Sequence, residues 1–114
     1  MAKRRRLDIS IIESDRFRLL TPSAQALYLH LNMNADDDGI VDKWKSILRC
    51  LGIRAEHLQT LINEEYVIRL PGDTLLIADW NIHNKIRRDR YCEGNHKDKL
   101  DTVLMQPNGR YFKA

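Results

Sequence analysis

The chain has 114 residues, 43% of them hydrophobic, with a formal net charge of +3. That length supports one modest core and excludes two ordinary domains, and no apolar run approaches the about 18 residues of a membrane-crossing helix. The basic start Lys3-Arg4-Arg5-Arg6 is followed, from Leu7 to Phe17, by too many charged residues for a secretory signal, and Cys50 and Cys92 suggest no disulfide framework, so a cytoplasmic location is expected.

From Ile9 to Leu20 two readings stand: Ile9, Ile11 and Ile12 suit a short strand, whereas Ile12, Phe17, Leu19 and Leu20 suit one side of a short irregular helix. Thr21-Pro22-Ser23 predicts a helix start, because threonine can accept an orphan N–H at the N-cap and proline is tolerated at the first helical position. Ala24, Leu27, Tyr28, Leu31 and Met33 line the expected buried face, and this helix should end near Asn34, before an Asp36-Asp37-Asp38-Gly39 turn. Ile40-Val41 predicts a small strand. Asp42 is expected to cap a helix from about Lys43 to Leu51, in which Ile47, Leu48 and Leu51 recur at helical spacing and Cys50 is a small core residue beside them. Gly52 can take the left-handed turn conformation, so a second helix, Arg54 to Glu64 with Leu58, Leu61 and Ile62 as its stripe, follows with little chain between. Tyr66 to Leu70 and Thr74 to Ile77 are rich in β-branched or aromatic residues and are joined by Pro71-Gly72-Asp73, which predicts a hairpin. Residues 95 to 105 suit one more helix, with Asn95 as cap and Leu100, Val103 and Leu104 on one face. Pro107-Asn108-Gly109 ends it, and Arg110 to Ala114 reads as a tail.

Two helices meeting at a glycine and followed at once by a hairpin outline a small α+β winged helix-turn-helix. The organisation is then 1–20 as a basic arm with a short element, 21–80 as the winged helix-turn-helix, and 81–114 as a basic tract with a helical or irregular extension, in a single domain. Such a fold most often serves nucleic-acid binding. On the second helix, Arg54, His57, Gln59, Thr60 and Asn63 lie away from the apolar stripe, and Arg, Gln and Asn are the side chains that read base edges in a major groove. Glu56, Glu64 and Glu65 would repel phosphates, which leaves a solvated face or a protein contact as the alternatives. Lys85, Arg87, Arg88 and Arg90 put four cations in six residues beside Tyr91, a pattern suited to phosphate contact and base stacking. Lys3, Arg4, Arg5 and Arg6 form a second cluster, either an arm reaching a groove or backbone or a solubilising tail.

Other chemistry finds less support. The Asp36 to Asp38 triplet lacks the alternating ligands and distal glutamate of a calcium loop. Cys92 and His96 have a Cys-x3-His spacing that His83 or Cys50 could extend, but no paired metal-ligand motif accompanies it, so no metal or cofactor is expected. No set of nucleophile, base and orienting group is displayed, so the chain is not expected to be an enzyme.

Six phrases together resemble the amino-terminal winged-helix domain of phage replisome organisers and DnaD-like replication-initiation proteins. They are residues 21–31 (TPSAQALYLHL), 35–39 (ADDDG), 51–53 (LGI), 61–68 (LINEEYVI), Trp80 followed by Ile82-His83-Asn84, and 86–91 (IRRDRY). The resemblance covers about residues 4 to 91. It implies a DNA-binding protein of replication initiation that self-associates, most plausibly as a homodimer, and helps recruit or load a helicase. Family members commonly continue into a further helical domain; a stand-alone module, a piece of a longer protein and a regulator keeping the first domain are the alternatives for a chain ending at Ala114. A transcriptional regulator on the same fold, and an interaction module with weak or no DNA binding, are the competing functions.

Overall fold

Local capping chemistry organises the amino-terminal third. The computed structural model describes residues 4–85 and 89–113, and Ile9 to Leu20 form two one-turn helices there: α1 (Ile9–Ile12), capped by Asp8 accepting from the Ser10 N–H, and α2 (Asp15–Arg18), capped by Ser14 accepting from the Phe17 N–H. Thr21 caps α3 (Pro22–Met33) by accepting from the Ala24 N–H at 3.1 Å, with Pro22 in the first turn. Then follow β1 (Ile40–Val41), α4 (Trp44–Leu51), α5 (Ala55–Asn63), β2 (Val67–Leu70), β3 (Thr74–Ile77) and α6 (Trp80–His83). A 3-10 helix (Lys97–Thr102) leads into β4 (Val103–Met105), which pairs with β5 (Tyr111–Lys113).

The result is a small α+β domain with a three-stranded antiparallel sheet ordered β1-β3-β2 and a separate β4–β5 hairpin. Leu76 is the centre of the larger sheet, opposite Ile40 on one side and Ile68 on the other. Ala24, Leu27, Tyr28 and Leu31 of α3, Leu58 and Leu61 of α5, and Leu75, Leu76 and Ile77 of β3 are all buried in one core. Phe17, Tyr28 and Tyr66 pack edge-on to one another within it, with ring centroids 5.3 to 5.7 Å apart. No helix among the described residues is long and apolar enough to cross a membrane.

Both helix ends of the α4–α5 pair are closed by left-handed residues. At α4, Gly52 has φ 65° and the Ile53 N–H returns to the Leu48 carbonyl at 3.1 Å. At α5 the same return, Tyr66 N–H to Leu61 carbonyl at 2.9 Å, requires φ 64° at Glu65, a residue with a Cβ. That conformation costs roughly 1–2 kcal/mol, and the Arg110 guanidinium, which donates to the Glu65 carbonyl at 2.7 Å, helps hold it.

Several expectations are corrected. Met33 is exposed, because it lies two residues and about 200° round the helix from Leu31; Asn32 is buried instead, its amide donating to the Tyr28 carbonyl at 2.8 Å. Cys50 is exposed, to one side of the Trp44, Ile47, Leu48, Leu51 stripe. Asp42 does not cap α4: the helix begins at Trp44, the cap position is Lys43 without a side-chain bond, and the Asp42 carboxylate faces His96 at 3.4 Å. Residues 95 to 105 are not one helix capped by Asn95, because Val103 to Met105 find an antiparallel partner across the Pro107-Asn108-Gly109 turn. For the same reason Arg110 to Lys113 is no tail, and Tyr111 is buried.

Leu61 is fully buried between α3 and the sheet. Leu61→Ala is expected to lower unfolding free energy by about 2–5 kcal/mol in a denaturant titration. Leu19→Ala, at a residue 87% exposed, should change it by no more than about 0.5 kcal/mol.

Candidate nucleic-acid interface

Helix α5 turns a polar side to solvent because its apolar residues fall on one stripe. Gln59 and Asn63 are exposed one turn apart, and the Gln59 amide donates to Asn63 Oδ1 at 2.9 Å. Arg54 precedes the helix with its guanidinium exposed, 3.9 Å from Glu56. His57 and Thr60 sit nearer the body: the His57 ring lies 3.2 Å from Thr21 Oγ1, and the Thr60 hydroxyl donates to the Glu56 carbonyl at 3.1 Å. Of the five expected contact residues, Arg54, Gln59 and Asn63 are therefore the outward ones.

Beside this face stands the β2–β3 hairpin, whose tip is fastened to α4. Gly72 and Asp73 have φ 75° and 61° in the turn. The Asp73 carboxylate receives Lys45 at 2.6 Å and Arg69 at 2.7 Å, which hold it below the usual carboxylate range, and Trp44 Nε1 donates to the Asp73 carbonyl at 2.9 Å.

The amino-terminal segment is not a loose arm along its described length. Arg5 donates to Asp37 at 2.8 Å and to the Ala35 carbonyl at 2.8 Å, lies over the Trp80 ring, and has a side chain only 4% exposed. This corrects the placing of Arg5 among the phosphate contacts, since its charge is spent on a buried carboxylate. Arg4 and Arg6 are exposed. The Arg6 N–H donates to Asn84 Oδ1 at 2.9 Å, which sets Arg6 against the residue preceding Lys85. Arg6 and Lys85, far apart in sequence, thus come together at the end of α6. Lys85 and Arg90 are exposed; Lys3, Arg87 and Arg88 lie outside the described residues.

Past the basic tract the chain is held by the Asp36 to Asp38 turn. Tyr91 donates its hydroxyl to Asp38, the Cys92 N–H donates to Asp37 at 2.9 Å, and the Gly94 N–H to Asp38 at 3.0 Å. Burial opposes the charge on Asp37, but the Cys92 N–H and the Arg5 guanidinium outweigh it and hold its carboxyl below the usual range. Burial, reinforced by Asp38, pushes the Tyr91 phenol well up, so it stays a donor. Among the described residues no group of three or more His, Cys, Asp or Glu could hold a metal ion. Cys50 and Cys92 are free thiols.

Two anchors escaped the sequence reading. Arg110 Nη1 contacts both oxygens of the fully buried Asp79, at 2.9 and 3.0 Å. No local pattern could reveal a pair 31 residues apart. His83 accepts the Asp8 N–H at Nδ1, 2.7 Å away, so its proton sits on Nε2 and is directed at the Tyr28 hydroxyl, 2.6 Å away. Burial lowers the pKa of His83, with Asp79 and Asp8 opposing.

Compared with known proteins, the chain matches no family model, no curated protein and no solved structure.

A histidine whose pKa is lowered by folding binds fewer protons in the native state. Its stabilising contribution is complete above its unfolded value near 6.5 and is lost as pH falls from there toward the lowered value. His83→Gln keeps an acceptor for Asp8 and a donor for Tyr28 without titrating. Urea unfolding at pH 7.5 and 5.5 should show a smaller loss of stability on acidification for this variant than for the parent chain.

Proposed function

We propose that this chain is a winged helix-turn-helix module that binds duplex DNA without catalysing a reaction. The observation that carries the reading is the arrangement of α4 and α5 about Gly52, followed directly by the β2–β3 hairpin with β1 paired against β3, and with the polar side of α5 uncovered. In this reading α5 enters the major groove and presents Arg54, Gln59 and Asn63 to base edges, while the hairpin lies alongside as the wing. Arg4, Arg6, Lys85 and Arg90, joined by Lys3, Arg87 and Arg88, supply sequence-independent attraction to phosphates. The sequence phrases shared with phage replisome organisers and DnaD-like proteins favour replication initiation as the setting. Self-association as a homodimer and recruitment of a helicase or its loader belong to that reading. Exposed Ile9, Leu104 and Met105 offer apolar surface for self-association, whereas Ile11, Ile12, Leu100 and Val103 pack on the chain's own core.

A second reading, a protein-docking winged helix with weak or no DNA affinity, is favoured by Glu56, Glu64 and Glu65, which are all exposed around α5. A salt series separates the two. Each neutralised phosphate contributes about −0.9 to the slope of log affinity against log salt, so Lys85→Ala with Arg90→Ala should flatten the slope for unrelated duplexes by roughly two. Gln59→Ala with Asn63→Ala should alter preference between sequences and leave the slope alone. A parent chain that binds no duplex at low salt would overturn the DNA reading in favour of protein docking.

A further inference from the structure

His83 is buried with both of its ring nitrogens in use. Nδ1 accepts the Asp8 N–H of the amino-terminal strap at 2.7 Å, and Nε2 lies 2.6 Å from the hydroxyl of Tyr28, a fully buried residue of α3. A neutral imidazole has one donor and one acceptor, and these two contacts consume both. Burial holds the Tyr28 phenol far above its ordinary range, so it stays protonated and offers a charged ring no anion. A second proton on His83 therefore has one place to go, Nδ1, where it meets the Asp8 N–H head-on.

The segment facing that proton is lightly held between two firm ends. None of residues 7–10 is fully buried, and Ile9 and Ser10 are exposed. Upstream, the Arg6 N–H is bonded to Asn84 and the Arg5 guanidinium to Asp37, which despite its burial lies below the usual carboxylate range and stays ionised in mild acid. Downstream, the Ser14 hydroxyl donates to the Ile11 carbonyl at 2.7 Å, and Phe17 of α2 is buried in the core. Asp8 and Arg6 on the strap, Tyr28 on α3, Asp79 before α6 and Arg110 before β5, paired with Asp79, are the titratable and charged groups around the ring. Burial opposes the second proton, and Asp79 and Asp8 favour it. The Asp8 carboxylate is already taken by the N–H and hydroxyl of Ser10 as the cap of α1, so it cannot turn to a protonated ring without uncapping that helix.

We propose that His83 is an acid-operated latch on the amino-terminal strap: a proton on Nδ1 expels the Asp8 N–H, and residues 7–10 lift away from α6 between their fixed ends while the core stays folded. The opening admits water to a pair of rings that the neutral state keeps dry. One proton is taken up for each strap released, with no covalent change. As pH falls below the ring's ordinary value near 6.5, the ratio of open to closed strap therefore rises by about tenfold for each pH unit. Overall stability and the latch are separable, because the strap responds before the core does. The latch does not depend on DNA binding.

The test follows the whole chain, labelled with nitrogen-15, by NMR from pH 7.5 to pH 4.5. At the upper end a coupling across the hydrogen bond should join the Asp8 amide nitrogen to His83 Nδ1. On acidification that coupling should vanish as the ring titrates, and the exchange protection of the Asp8 amide should fall by about tenfold per pH unit. The Tyr66 and Ile77 amides, bonded to the Leu61 and Gly39 carbonyls, should keep their protection over the same range. In His83→Gln the protection of Asp8 should be independent of pH; if that variant does not fold, the parent chain decides alone. A protonated ring that retains the coupling, a ring still neutral at pH 4.5, or loss of core and Asp8 protection together would overturn the proposal. So would a strap in His83→Gln that still opens with acid, which would assign the response to another group.

Discussion

Trp80 packs directly on Gly39. A Cβ at residue 39 would fall 2.5 Å from Trp80 Cγ, and the backbone there has φ 85°, so glycine is required on two independent grounds. The contact sets α6 directly on the turn that follows α3. Trp80 Nε1 then reaches the Asp37 carbonyl at 3.0 Å, and Arg5 covers the outer face of the ring. Around that stack the Asp36 to Asp38 turn collects segments with no regular structure of their own, the amino-terminal strap and residues 91–94. A side chain at 39 would lift Trp80 and release both.

Charge is divided between anchoring and display. Arg5 and Arg110 are each committed to a buried aspartate, and breaking such a pair by removing one member strands a charge in the interior. Arg4, Arg6, Lys85 and Arg90 remain at the surface. The formal charge of +3 is therefore a poor guide to the field outside the molecule: the cations that cancel Asp37 and Asp79 do so internally.

Much of the central fold was legible because its signals are local. Thr21-Pro22 declared a helix start, Gly52 a helix end, Pro71-Gly72-Asp73 a hairpin, and the stripes of α4 and α5 a helical period. The carboxy-terminal part was misread where a local preference met a distant partner. Residues 95 to 105 carry helix-like spacing, yet Val103 to Met105 gain strand pairing from β5 that no window of that length contains. Arg5 looked like its neighbours in a basic run, and only Asp37 and Trp80, brought round by the fold, distinguish it. Glu65 shows a further limit: its left-handed conformation resembles that of Gly52, but without glycine nothing in the sequence announces it.

The Asp79 to Arg110 pair has a consequence for synthesis. Asp79 lies two residues past the end of β3 and has no exposure to solvent in the finished domain, while its cation lies 31 residues downstream. At a translation rate of about 5–20 residues per second, a few seconds pass with the carboxylate made and the guanidinium not. During that interval an ionised Asp79 keeps its water, so the end of β3 cannot close dry however complete the helices before it are. The helical half can gather on the ribosome early, and the sheet is sealed only when the last hairpin arrives with its arginine.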